Sequence, residues 1–128
     1  MNHKFQKLMN NMENKLPVSI VLPIKSSLVR DFAEYFDKSI KSIQNQSVHP
    51  EELIIIYCNE EGLKNHLDEY DFGVLDVKKI LWDKEPNYSQ QVNFGIKNAT
   101  QKWISLFEFD DEYSAIWFKN VQKYMEAF

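Results

Sequence analysis

The residues best placed to do chemistry are Glu108, Asp110, Asp111 and Glu112, which follow the apolar run Trp103–Phe107 in the stretch KWISLFEFDDE. Carboxylate oxygens are hard ligands. Mg²⁺ or Mn²⁺ is ordinarily held by one or two of them together with substrate phosphates, not by an all-protein cage. A strand that empties into such a cluster delivers it to the carboxyl edge of a sheet, where ligands bind in open α/β folds. The same residues also suit an acidic turn ahead of a helix, because Asp and Glu favour the positive end of the helix macrodipole. Spacing alone leaves both readings open.

Something must position that cluster, and the bulk properties limit what it is. A length of 128 residues suits one domain with a real core, and 44% hydrophobic content excludes a disordered chain. A net charge of −4 without a basic block argues against nucleic-acid binding. The lone Cys58 excludes an internal disulfide and a cysteine-based zinc site. No apolar run is long enough to span a bilayer. The opening MNHKFQKLMNNMENK lacks the apolar core of a signal peptide, so the expected location is the cytoplasm.

The apolar pattern then divides the chain into elements. Phe5, Leu8, Met9, Met12 and Leu16 recur at helical spacing and predict a short amphipathic helix over residues 1–16, ahead of a domain at 17–128. Val18–Leu22, closed by Pro23, is a continuous run of the kind a strand buried on both faces requires. Leu28, Phe32, Tyr35, Phe36, Ile40 and Ile43 mark one face of a helix, which His49-Pro50 breaks. Glu52–Tyr57 predicts a second buried strand, and Leu63, Leu67 and Tyr70 a short helix. Val74–Trp82 holds a third strand, nearer the edge because charges interrupt it. Tyr88–Ala99 reads as a helix with Val92, Ile96 and Ala99 inward, and Trp103–Phe107 as a buried fourth strand. Ser114 is the expected N-cap of a last helix carrying Ile116, Trp117, Val121 and Tyr124. Strands alternating with helices predict an α/β fold, a mostly parallel open sheet of about four strands with helices on both faces.

Four stretches in order carry a family resemblance. They are VSIVLPIK (Val18–Lys25), SIKSIQNQSVHPEELIII (Ser39–Ile56), QVNFGIKNATQKWISLFEFDD (Gln91–Asp111) and the ending FEFDDEYS (Phe107–Ser114). Together they resemble the nucleotide-binding half of a GT-A glycosyltransferase of the family 2 kind, and the last is similar to virus-encoded members. The resemblance implies a GT-A, Rossmann-like half domain and an inverting transferase whose D-x-D motif holds Mn²⁺ or Mg²⁺ on the diphosphate of a nucleotide sugar. Here Glu108-Phe109-Asp110 takes the motif's place. It makes Asp110 the direct metal ligand, Asp111 a second one, and Glu108 a contact to ribose or metal-bound water. Pro23, Ile24 and Lys25 would touch the nucleoside and phosphate, and Tyr57 would stack on the base. Asn93 matches the asparagine of the family's R-N-x-G run, with Val92 in place of the arginine. The family's D-D-G-S after the second strand is replaced by Tyr57-Cys58-Asn59-Glu60, which leaves Glu60 or Glu61 to read the base and gives no support for uridine.

The family's catalytic base and acceptor-binding elements follow the acidic motif, so the chain reads as the first half of something longer. Inverting transfer needs a base within reach of the acceptor hydroxyl; no catalytic residue and no acceptor are assigned. The alternative is a non-catalytic remnant acting as an interaction or scaffold module. An uncovered sheet edge predicts a homodimer or a partner chain. A nucleotidyltransferase would want a Gly-rich phosphate loop, which PIKSS does not offer.

Overall fold

The computed structural model describes residues 15–127. Strands and helices alternate along it: β1 Lys15–Ile24, α1 Phe32–Gln44, β2 His49–Cys58, α2 Leu63–Glu69, β3 Val77–Trp82, α3 Tyr88–Lys97, β4 Trp103–Leu106 and α4 Trp117–Glu126. The four strands form one sheet in the order β3-β2-β1-β4, every pairing parallel. This is the α/β half domain that the alternating pattern predicts.

Burial explains the layers. Along β1 and β2, Ile20, Leu22, Leu53 and Ile55 face a large core closed by α1, α2 and α4. Val21, Ile54 and Ile56 face the other way, with Trp82 and the ring of Phe94 from α3. Gly95 lets α3 lie close: a Cβ there would stand 2.5 Å from Ile56 Cδ1 and 2.5 Å from Val21 Cγ1.

Several boundaries differ from expectation, each for a local reason. β1 runs through Pro23 to Ile24. The Val21 carbonyl accepts from Phe107 N on the β4 side (3.0 Å), and backbone groups two residues apart in a strand point the same way. The Pro23 nitrogen therefore faces the β4 side beyond that strand's last pair, Val21↔Leu106, where no ladder donor is needed. His49-Pro50 opens β2 instead of lying between elements, with Pro50 opposite Leu16. α1 starts at Phe32, because Asp31 takes a left-handed φ of 59° and Leu28 is left 82% exposed before it. On α3 the inward residues are Gln91, Val92 and Gly95, whereas Ile96 is exposed. β4 is not buried: it is one of the two outer strands, and Trp103, Ile104 and Leu106 are exposed. Ile116, not Ser114, is the N-cap of α4; the Ser114 carbonyl instead accepts from Trp117 N in the preceding turn (3.0 Å). Ile116, Trp117 and Tyr124 are exposed; Phe118 enters the core, and Val121, as expected, packs against it with Met125.

The helix expected over residues 1–16 lies outside the described residues up to Asn14, and Leu16 belongs to β1. Among the described residues no helix is long and apolar enough to cross a membrane.

Candidate functional site

The chain steps from β1 to β2 to β3 in one direction and then returns to place β4 on the other side of β1. The strand order therefore reverses between β1 and β4, the place beyond whose carboxyl ends ligands bind in open α/β sheets. A cleft of about 620 Å³ lies there. Pro23, Lys25 and Ser26 line it from the end of β1, Glu85, Pro86 and Tyr88 from the start of α3, and Glu108 and Phe109 from the end of β4; Val29 and Glu60 complete it.

The walls are fixed by hydrogen bonds that cross long stretches of sequence. Gln91, fully buried on α3, donates from Nε2 to the carbonyls of Ile24 and Ile56, both at 3.0 Å, and its Oε1 accepts from Asn87 N at 3.0 Å. That amide ties the first turn of α3 to the carboxyl ends of β1 and β2 and so sets Tyr88 at the cleft. The Glu60 carboxylate accepts from Ser27 N (3.0 Å) and Ser27 Oγ (2.7 Å), clamping the β1–α1 loop. Burial would raise the Glu60 pKa, but the bonds from Ser27 outweigh it and hold the carboxyl below its usual range. Cys58 is pushed up to about 12, first by burial and then by Glu60, so it stays a thiol.

The acidic turn is closed on itself. Asp111 N donates to the Glu108 carbonyl (2.9 Å), and Glu108 N donates to Asp111 Oδ2 (3.1 Å). Glu108, Asp110 and Asp111 are all exposed. Tyr88 is raised by burial first, then by the Glu108 charge, by a hydrogen bond to Glu108 and by Asp111. The phenol thus leans on the carboxylate cluster. Beneath the turn, the buried Ser39 hydroxyl meets the carbonyls of Phe109 and Asp111, and the Phe109 ring lies 4.9 Å from that of Phe32.

Of the residues singled out in the sequence, Pro23, Lys25 and Glu108 meet in the cleft, and Asp110 and Asp111 share the turn of Glu108. The Ile24 side chain is fully buried, and its carbonyl is taken by Gln91. Tyr57 is buried in the core on the α1 and α2 side and does not line the cleft. Asn93 sits on α3 in a separate shallow depression with Trp82 and Lys84. Sequence reasoning missed Gln91, Tyr88 and Ser39. Ser39 alone left a trace, as a polar residue on the apolar face of a helix.

Could these residues hold a divalent ion? Among the described residues no three His, Cys, Asp or Glu side chains converge on one point, so an all-protein cage is not built. Adjacent exposed carboxylates do suit an ion that takes its remaining ligands from phosphate and water. The cleft lining carries Glu60, Glu85 and Glu108 against the single Lys25, a balance that favours a bound cation.

A family model described as glycosyl transferase family 2 matches residues 19–128. Among solved structures, S. aureus TarS 1–349 matches with a TM-score of 0.70, and its complex with UDP-GlcNAc with 0.72, both at 14% identity. Each match covers 88% of this chain, which spans only 33% and 32% of those chains. No curated protein matches the sequence.

Proposed function

This chain belongs to glycosyl transferase family 2, and on that premise we propose that its cleft takes the nucleoside diphosphate of a sugar donor together with Mn²⁺ or Mg²⁺. The observation that carries the reading is the charge of the cleft, three carboxylates against one ammonium, at the switch point of a parallel sheet. A diphosphate is itself a polyanion. Like charges about 4 Å apart repel by on the order of 4 kcal/mol at an effective dielectric of 20, so the pair needs a cation between them. Asp110 is the direct ligand and Asp111 the second, with Oδ1 available because Oδ2 faces Glu108 N. Glu108 accepts from a ribose hydroxyl or a metal-bound water. Pro23 and Lys25 run along the nucleoside and phosphate, with the buried Ile24 holding the end of β1 between them. Glu60, ionised and oriented by Ser27, accepts a base N–H. Tyr57 and Asn93 have no part in it, since both stand away from the cleft.

When bound, the ion supplies Lewis-acid stabilisation of the departing diphosphate. The reaction is inverting transfer of the sugar to an acceptor hydroxyl. The cleft carboxylates are assigned to binding, and none to the base that must deprotonate the acceptor. The solved TarS complexes with UDP-GlcNAc and with UDP support a nucleotide sugar as the ligand class.

A second reading, a non-catalytic interaction module, draws on the exposed apolar residues of β4 and α4, among them Trp103, Leu106 and Trp117. Thermal melting with UDP, GDP and CDP, each with and without Mn²⁺, separates the two. A ligand at about a hundred times its Kd stabilises the native state by about 2.7 kcal/mol. Donor binding requires an upward shift that needs both nucleotide and metal. No shift with any pair at millimolar ligand would leave the interaction module.

A further inference from the structure

We propose that Ser39 is a positioning residue for the metal-binding carboxylates, the first of three polar side chains, two on α1 and one just past its end, that fix the backbone carrying Asp110. The proposal rests on the donor-binding reading for what those carboxylates do. Ser39 is fully buried. Its hydroxyl faces the carbonyl of Phe109 and, at 2.5 Å, that of Asp111. A hydroxyl has one proton, so the two carbonyls share it. They belong to the 109–110 and 111–112 peptide units, so the chain is held on both sides of the residue that bears the ligand.

The next two polar residues continue the attachment. Ser42 Oγ accepts from Tyr113 N (3.0 Å) and donates to the Ser39 carbonyl (2.6 Å). Gln46 Nε2 donates to the Ser114 carbonyl (2.6 Å), and its Oε1 accepts from Phe118 N (3.2 Å). Positions 39 and 42 lie on one face of α1, and Gln46 follows just past its C-cap, Asn45. That face otherwise carries Phe32, Phe36, Ile40 and Ile43 into the core. Polar side chains cost stability in such a place unless every group is paired. Here their partners are the backbone of residues 109–118, so the cost is offset only while that segment keeps one path. A metal site must be held to within about 0.5 Å of its productive geometry. An exposed turn cannot do this alone, and α1 does it from below.

The test compares Ser39→Ala, Ser39→Thr and, as a control at the opposite edge of the sheet, Thr100→Ala. One readout is amide exchange in the ligand-free protein at Glu108, Asp111 and Tyr113, whose amides are hydrogen-bonded. The other is Mn²⁺ affinity measured with whichever of UDP, GDP or CDP stabilises the wild type. Ser39→Ala should speed exchange at Glu108 and Asp111 well beyond any change in β1 and β2. It should also weaken Mn²⁺ binding about ten- to a hundredfold, the range seen when a group supporting a metal ligand is removed. Ser39→Thr, which keeps the hydroxyl, should recover most of that affinity, and Thr100→Ala should leave it unchanged. Unchanged exchange at Glu108 and Asp111 in Ser39→Ala overturns the proposal. So does a loss of affinity that Thr100→Ala reproduces, since Ser39 would then act through stability alone. No Mn²⁺-dependent binding of UDP, GDP or CDP by the wild type overturns the donor reading itself, whatever exchange reports.

Discussion

At the amino-terminal end of the sheet Glu52 is buried and accepts from Ser19 Oγ (2.5 Å), Thr100 N (2.7 Å), Thr100 Oγ (2.8 Å) and Lys78 Nζ (2.7 Å). At the carboxyl end Glu108, Asp110 and Asp111 stand in the open. Two carboxylate sites thus occupy opposite edges of the same strands, and only one has its partners within the fold. A carboxylate offers about four acceptor positions, and Glu52 fills them with groups from β1, β3 and the turn before β4. The acidic turn uses one oxygen of Asp111 on its own backbone and leaves the others facing solvent or a ligand. A carboxylate whose partners are all internal holds strands together, whereas one whose supporting bonds reach only its backbone is presented to something else.

The comparison predicts a crossed pair of outcomes, the largest effects expected. Glu52→Ala strands the Ser19 hydroxyl and the Thr100 amide and unpairs Lys78. The Lys78 side chain, 42% exposed, can turn to water, but each buried donor left unsatisfied costs about 1–3 kcal/mol, a large share of the roughly 5–15 kcal/mol that keeps a domain folded. The surviving folded fraction should bind Mn²⁺ and nucleotide as before. Asp110→Ala should do the reverse, abolishing Mn²⁺-dependent binding while stability moves by less than about 0.5 kcal/mol. Melting curves and titration calorimetry on both variants read the cross. If Asp110→Ala binds unaltered, the metal assignment is wrong. If Glu52→Ala melts like the wild type, the amino-edge network holds nothing.

Acid should separate the two edges more gently. Burial would raise Glu52, but bonds from Lys78, Ser19 and Thr100 outweigh it and lower the carboxyl from 4.5 to about 2. The folded state therefore binds that proton less readily than the unfolded chain. The stabilisation is complete above pH 4.5 and is lost as pH falls toward 2. At 1.36 kcal/mol per unit the shift corresponds to about 3 kcal/mol. Urea midpoints measured from pH 6 down to 2.5 should fall in the wild type, and less steeply in Glu52→Gln, which has no proton to take up. Parallel slopes in the two proteins would remove Glu52 from the account.

How much of this was legible in the residues themselves? The continuous runs Val18–Leu22 and Glu52–Tyr57 announced central strands, and the charges in Val74–Trp82 an edge. β4 misled because WISLF has the composition of a buried strand; its exposure depends on what lies alongside it, which composition does not report. Leu28 fell at helical spacing ahead of Phe32, but the left-handed turn at Asp31 starts α1 later. Tyr57 was readable with more care. Side chains alternate along a strand, so Tyr57 shares a face with Leu53 and Ile55, under α1 and α2 and away from α3. Of the site, the carboxylates were visible because their types cluster. Gln91 was not, because its meaning lies in bonds to Ile24 and Ile56, residues 67 and 35 positions away.

The smallest expected effect sits where a side chain belongs to neither class. Tyr88 is exposed at the cleft mouth, where its phenol, a hydrogen-bond donor, stands beside the Glu108 charge. Tyr88→Phe removes that donor and keeps the ring. Stability should stay within about 0.5 kcal/mol, as for other exposed positions. If the phenol orients Glu108 toward ribose or metal-bound water, nucleotide affinity should fall by the net value of one hydrogen bond. That is about 0.5–1.5 kcal/mol, or roughly two- to twelvefold. Titration calorimetry with Mn²⁺ and the nucleotide that stabilises the wild type reads it directly. Tighter binding in Tyr88→Phe would reverse the argument: the phenol would then compete with the ligand for Glu108, and the open edge would be partly closed in the resting protein. Unchanged affinity would return Glu108 to the solvated surface and leave Asp110 and Asp111 to carry the site.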